Sequence, residues 1–149
     1  MGKVQWFKDY LIGLQAVIPG INRNRMVIDK SQLTDFLNAH SSLDNLLLIG
    51  VLPDFRGKGS TAEDFKLENT MQLMVLKKTT YSEHNYDEFY QIFEDTWITV
   101  EDVLKQILAD SLSCSELRFL NVQSIQIQPV WNESACNGWK IMFNFDMSL

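Results

Sequence analysis

Residues 85–110, NYDEFYQIFEDTWITVEDVLKQILAD, decide the fold. Tyr86, Phe89, Tyr90, Phe93, Trp97, Val100, Leu104, Ile107 and Leu108 recur mostly at steps of three and four, the period of an amphipathic helix. Asn85 stands where an N-cap belongs and Glu88 takes the N3 position of a capping box, while Asp87 and Glu88 suit the positive end of the helix dipole. The other face carries Asp87, Glu94, Asp95, Glu101 and Asp102. Unbroken, such a helix is about 39 Å long at roughly 1.5 Å per residue. The β-branched run Ile98-Thr99-Val100 is the place where a kink near Trp97 could enter. The aromatic stripe reads as a core face and not as a cofactor box.

Downstream, Ile125, Ile127, Pro129 and Trp131 alternate with Ser124, Gln126, Gln128 and Val130, and Trp139, Ile141, Phe143 and Phe145 with Lys140, Met142, Asn144 and Asp146, so residues 120–148 read as a hairpin. Asn132 to Asn137 is the expected turn, with Asn137-Gly138 supplying its turn residues. Pro129 has no N–H for a ladder, which places its strand at a sheet edge.

Upstream, Trp6, Tyr10, Leu14 and Val17 form a helical stripe within residues 1–19, ended by Pro19-Gly20. Asn22 to Asn24 reads as a loop, and Ser31 as the N-cap of a short helix carrying Leu33, Phe36 and Leu37. Leu46 to Leu52 is a continuous apolar run expected to be a strand covered on both faces and stopped by Pro53-Asp54. Arg56 to Asp64 is a polar, glycine-punctuated surface loop, expected to be mobile and long for a hairpin connection. The strand that follows, from Leu67 to Leu76, is apolar on both faces in its second half and therefore central. The predicted fold class is α+β: two β-hairpins forming a mostly antiparallel sheet packed on one long amphipathic helix, with an N-terminal helix, all in one domain.

A chain of 149 residues with 46% apolar and 21% charged side chains has the composition of an ordinary globular protein. At that size folding buries roughly 70% of the unfolded surface, enough for a core without staples. No apolar run reaches the ~18 residues of a membrane span. The N-terminus meets Lys8 and Asp9 too early for a secretory signal, and Trp6 stands where a myristoylation motif needs Ser or Thr. Cys114 and Cys136 lie outside any metal or redox spacing and are expected to be free thiols in a reducing cytoplasm. The net charge of -6 is uneven: ten basic residues face eight acidic ones through Thr80, and three face eleven from Tyr81 onward. That balance argues against specific nucleic-acid binding.

No constellation for catalysis stands out. Arg56-Gly57-Lys58-Gly59-Ser60 fails as a phosphate-binding loop, because Leu52 stands where the first glycine belongs and Gly59 where the magnesium-binding hydroxyl belongs. His40 and His84 sit in different segments without a partner at metal-ligand spacing and read as surface residues. The acidic pairs Glu63-Asp64, Asp87-Glu88, Glu94-Asp95 and Glu101-Asp102 read as solvated charge, since adjacent helical residues point apart. We therefore expect a binding or structural protein and not an enzyme, with no catalytic, cofactor or metal residues.

Leu46 to Asp54, the polar loop through Asp64, the helix ending Val103-Leu104-Lys105-Gln106-Ile107-Leu108, and Ile125-Gln126-Ile127-Gln128-Pro129 followed by Gly138-Trp139-Lys140-Ile141-Met142-Phe143 together resemble the tail terminator (tail completion) proteins of tailed bacteriophages and related contractile systems. The resemblance covers most of the chain as architecture. It implies a virion protein, assembled in the host cytoplasm, that forms a homo-oligomeric ring, commonly a hexamer, at the tail-neck junction and contacts the tail tube and neck or connector proteins. A head-tail connector is a neighbouring reading; a small cytoplasmic adaptor or chaperone-like dimer is the alternative from another class. On the ring reading, Asp54, Arg56, Lys58, Asp64 and Trp131 are the expected partner-contact residues, and the basic loop could meet the acidic helix of a neighbour.

Overall fold

The computed structural model describes residues 3–79, 85–113 and 115–148, so His84 and Cys114 lie outside the described residues. The elements run α1 (Lys3–Val17), β1 (Arg23–Val27), α2 (Lys30–Ala39), β2 (Leu47–Lys58), β3 (Lys66–Lys78), α3 (Tyr86–Ser111), β4 (Leu120–Glu133) and β5 (Cys136–Met147), with short 3₁₀ turns at Ser42–Asp44 and Glu116–Phe119. The architecture is α+β: a five-stranded sheet in the order β1-β2-β3-β5-β4, with two antiparallel hairpins and β3 at its centre.

The strand β1 replaces the loop expected at Asn22 to Asn24. It pairs in parallel with β2, Arg23 opposite Leu47 through Val27 opposite Val51, which makes the sheet mixed. Three polar residues followed by Met26 and Val27 carry little periodicity of their own, and their pairing is decided by β2. β2 also runs past Pro53 to Lys58, because a register shift between Val51 and Asp54 accommodates the proline on the outer edge where β1 has already ended. The connection to β3 is accordingly residues 59–65, shorter than the Arg56 to Asp64 loop expected.

The sheet separates two apolar clusters. Leu48, Met71, Leu73, Val75, Ile141, Phe143 and Phe145 face α1 and α3, while Leu47, Ile49, Met74 and Leu76 face α2 through Leu33 and Leu37. α1 crosses β2 at Gly50, where a Cβ would lie 2.6 Å from a Leu11 methyl. α2 is capped by Asp29, not Ser31: its side chain accepts from Gln32 N at 2.9 Å, and the helix begins at Lys30. His40, expected at the surface, is 2% exposed beneath the end of α2, its Nε2 3.0 Å from Asn45 Oδ1. Asn45 in turn bonds the main chain of Lys78, so this polar group ties α2 to the end of β3.

The hairpin turn falls at Ser134 and Ala135, both with positive φ, instead of at Asn137-Gly138. Asn137 and Gly138 belong to β5, where Asn137 is buried and accepts from Asn132 N at 2.7 Å. Gly138 is required by packing, since a Cβ there would lie 1.9 Å from the Val75 carbonyl oxygen. Pro129 does lie in an edge strand, β4.

Candidate functional site

α3 is a single 26-residue helix, with Asn85 capping it by accepting from Glu88 N at 3.0 Å. Its buried face is Ile92, Thr96, Thr99, Val100, Val103 and Ile107. The expected core face holds in the second half of the helix, where Val100 and Ile107 are buried and Leu104, like Trp97 just before them, packs against the core, and fails at the start, where Tyr86 and Tyr90 are exposed. Ile92, Thr96 and Val103 precede Phe93, Trp97 and Leu104 by one position, a turn of about 100° at 3.6 residues per turn. Thr96 tolerates burial because its hydroxyl donates back to the Ile92 carbonyl at 2.8 Å. The aromatic residues of the first half are thereby rotated off the core, leaving Tyr86 73% and Tyr90 59% exposed and Phe89, Phe93 and Trp97 half-buried.

The β4–β5 hairpin supplies the other wall. Trp139 donates its Nε1–H to the Phe93 carbonyl at 2.9 Å, and its ring meets Trp97 edge to face at 5.0 Å and Phe93 at 5.8 Å. Trp131 lies 5.1 Å from Phe89 and 6.2 Å from Phe93 between ring centroids. The result is an open groove of about 720 Å³ walled by Tyr90, Phe93, Trp97, Ile127, Pro129 and Trp139. Glu94 is the charged residue lining it. A second recess of about 240 Å³ shares Tyr90 and Phe93 and continues to Tyr86, Phe89 and Trp131. Tyr86 and Tyr90 hydroxyls are 2.6 Å apart, and this bond raises the Tyr90 pKa.

A second exposed surface lies at the far end of the β2–β3 hairpin. Residues 54–66 are all exposed, and Phe55 and Phe65 are each 41% exposed. Asp64 organises the tip: its carboxylate accepts from the main-chain N–H and hydroxyl of both Ser60 and Thr61 at 2.7–3.1 Å. Those bonds, that from Thr61 N first, hold its carboxyl well below the usual carboxylate range. Lys58 is tied to Asp146 at 3.2 Å and Glu68 at 3.7 Å, and the Asp146 bond raises its pKa above the ordinary lysine value. Arg56 is exposed on β2 opposite Glu68, and among the described residues its side chain has no hydrogen bond, ion pair or ring contact.

Four of the five expected contact residues thus lie together on the β2–β3 arm: Asp54 at the register shift, Arg56 and Lys58 on the strand, and Asp64 in the tip. Trp131 lies apart, on the aromatic surface of α3 and β4. The two surfaces occupy opposite ends of the sheet, because Leu67 pairs with Met147 whereas Val75 pairs with Trp139. That register separates them by about 26 Å at roughly 3.3 Å per residue. Sequence reasoning missed that Tyr90 is exposed and that the half-buried Phe93, Trp97 and Trp139 line a groove, and it passed over Phe55 and Phe65 altogether. The available signal was the parallel stripe of Ile92, Thr96, Thr99 and Val103, which competes with the aromatic one for the core.

Among the described residues no group of three or more His, Cys, Asp or Glu side chains could hold a metal ion, and no helix is long and apolar enough to cross a membrane. Comparison with protein-family models, curated proteins and solved structures yields no match to this chain.

Proposed function

We propose that this chain is a structural protein that assembles head to tail into a closed ring, acting as a tail terminator at the junction of a phage tail and its neck. One observation carries the reading: each protomer exposes two unlike surfaces, the polar β2–β3 arm bearing the part-exposed Phe55 and Phe65 and the aromatic groove of α3 and the β4–β5 hairpin, at opposite ends of one sheet. A pair related by a two-fold axis joins like to like, whereas unlike patches joined in series form a ring when the rotation closes. Residues 54–66 carry three bases and three acids, so charge bears on the pairing through single residues and not through the arm as a whole. The arm carries Arg56, and the groove is lined by Glu94 on a helix that is acidic along its outer face.

The chemistry of the groove also favours protein contact over catalysis. Its walls are aromatic and aliphatic, the composition that dominates interface cores. The test is negative-stain imaging of the purified chain, alone and with the tail-tube protein encoded near it. Rings with a central opening that cap tube ends are the expected result; compact two-fold pairs indifferent to tubes would overturn the proposal and favour the adaptor reading.

A further inference from the structure

We infer, resting on the head-to-tail reading above, that the aromatic groove is a receptor for a guanidinium group and that its occupant is Arg56 of a second copy of this chain. Both indole N–H groups of the groove are engaged within the protomer, Trp139 with the Phe93 carbonyl at 2.9 Å and Trp97 with Glu101 Oε1 at 2.7 Å. The rings are held in place by these bonds, and what remains for a ligand is their electron-rich surface. Trp139 stands at 68° to Trp97 and 85° to Phe93, so the groove offers walls of differing orientation, the arrangement that attracts an organic cation.

Glu94 sharpens the choice of ligand. It lines the same groove and has no ion pair among the described residues. A carboxylate beside aromatic faces favours a planar guanidinium over an ammonium, because the guanidinium can stack on a ring while donating two hydrogen bonds to the acid.

The chain already uses such contacts internally. Arg23 and Arg25 lie 4.7 and 5.6 Å from the Phe36 ring centroid, and Arg118 lies 5.0 Å from that of Phe119. Arg56 is the remaining arginine, exposed and without a ring or carboxylate partner among the described residues. Its neighbour Lys58 is engaged by Asp146 and Glu68. Arg56 does not reach the groove of its own protomer: it pairs with Glu68, and the strand from Glu68 to Val75, beside Trp139, spans about 23 Å at roughly 3.3 Å per residue. The two groups meet only between copies.

The test is a charge swap read by sedimentation equilibrium. Arg56→Glu and Glu94→Arg each weaken association by about tenfold or more, and the double variant recovers most of the loss. Arg56→Lys weakens it by a smaller factor, since the charge remains and the stacking plane is gone. All these positions are exposed, so the protomer fold is preserved. If the unaltered chain assembles and the single variants match it, or the double variant shows no recovery, the Arg56 assignment fails while ring assembly stands. If the unaltered chain stays monomeric at every concentration, the proposed function fails and this inference with it.

Discussion

The Trp139 indole donates to the Phe93 carbonyl at 2.9 Å, joining the first third of β5 to the first half of α3. The bond holds Phe93 to β5 in the orientation in which Ile92 and Thr96 go inward while Tyr90 and Trp97 line the groove. Trp139→Phe keeps most of the ring and removes the donor. Urea unfolding is expected to show a loss of about 1 kcal/mol, with the groove altered enough to weaken assembly as well.

Two glycines test the packing in opposite directions. At Gly138 a Cβ would meet the Val75 carbonyl oxygen at 1.9 Å, and Gly138→Ala is expected to destabilise the fold by about 3 kcal/mol, since main chain on both sides must move. Gly13 lies inside α1 with nothing within 4 Å of an added Cβ. Gly13→Ala is expected to stabilise by about 0.5–1 kcal/mol, and thermal melting of both variants reads the contrast.

Alkaline pH loosens the core at two groups. Burial raises the Cys136 thiol from 9.0 to about 11, and burial together with the 2.7 Å bond to Asp110 raises Tyr10 far above its ordinary 10.0. In both cases the folded chain keeps a proton that the unfolded chain gives up. Their stabilisation is therefore complete below pH 9.0 and falls as pH rises, first through Cys136 up to about 11 and, above 10.0, through Tyr10 as well. Tyr10→Phe is expected to cost about 1 kcal/mol at neutral pH, because Asp110 retains its bond from Gln106, and to remove the Tyr10 share of the alkaline slope. Urea titrations between pH 7 and pH 11 separate the two contributions.

Asp64 holds the arm tip through four hydrogen bonds from Ser60 and Thr61. Asp64→Ala is expected to speed amide exchange at Ser60 and Thr61 far more than it lowers the melting temperature of the protomer, because the exposed tip contributes nothing to either core cluster. Hydrogen exchange resolved by residue checks this.

Local signals made much of the fold legible. The cap at Asn85 and the period of α3, the alternation of β5 and the two-sided apolar character of β3 are properties of single segments. β1 was not legible, because Arg23–Val27 is only five residues long, opens with three polar ones and becomes a strand only by pairing with Leu47–Val51, which lies beyond α2 in the chain. The strand through Pro53 was hidden by a proline that only an outer edge tolerates. At the candidate site, the polar arm announced itself through Arg56, Lys58 and Asp64. The groove did not, since two overlapping apolar stripes on α3 compete for the sheet, and which of them is buried is settled by packing against strands distant in the chain.

The central claim is that two different surfaces on two copies meet, and mixing complementary variants tests it most directly. An arm variant carries Phe55→Ser and Phe65→Ser, and a groove variant carries Tyr90→Ser and Trp131→Ser, all at exposed positions. Native mass spectrometry is expected to show each variant alone as a monomer and the mixture as one-to-one pairs, each joined through one intact arm and one intact groove. A dimer that persists in either variant alone, or a mixture that stays monomeric while the unaltered chain assembles, would contradict it.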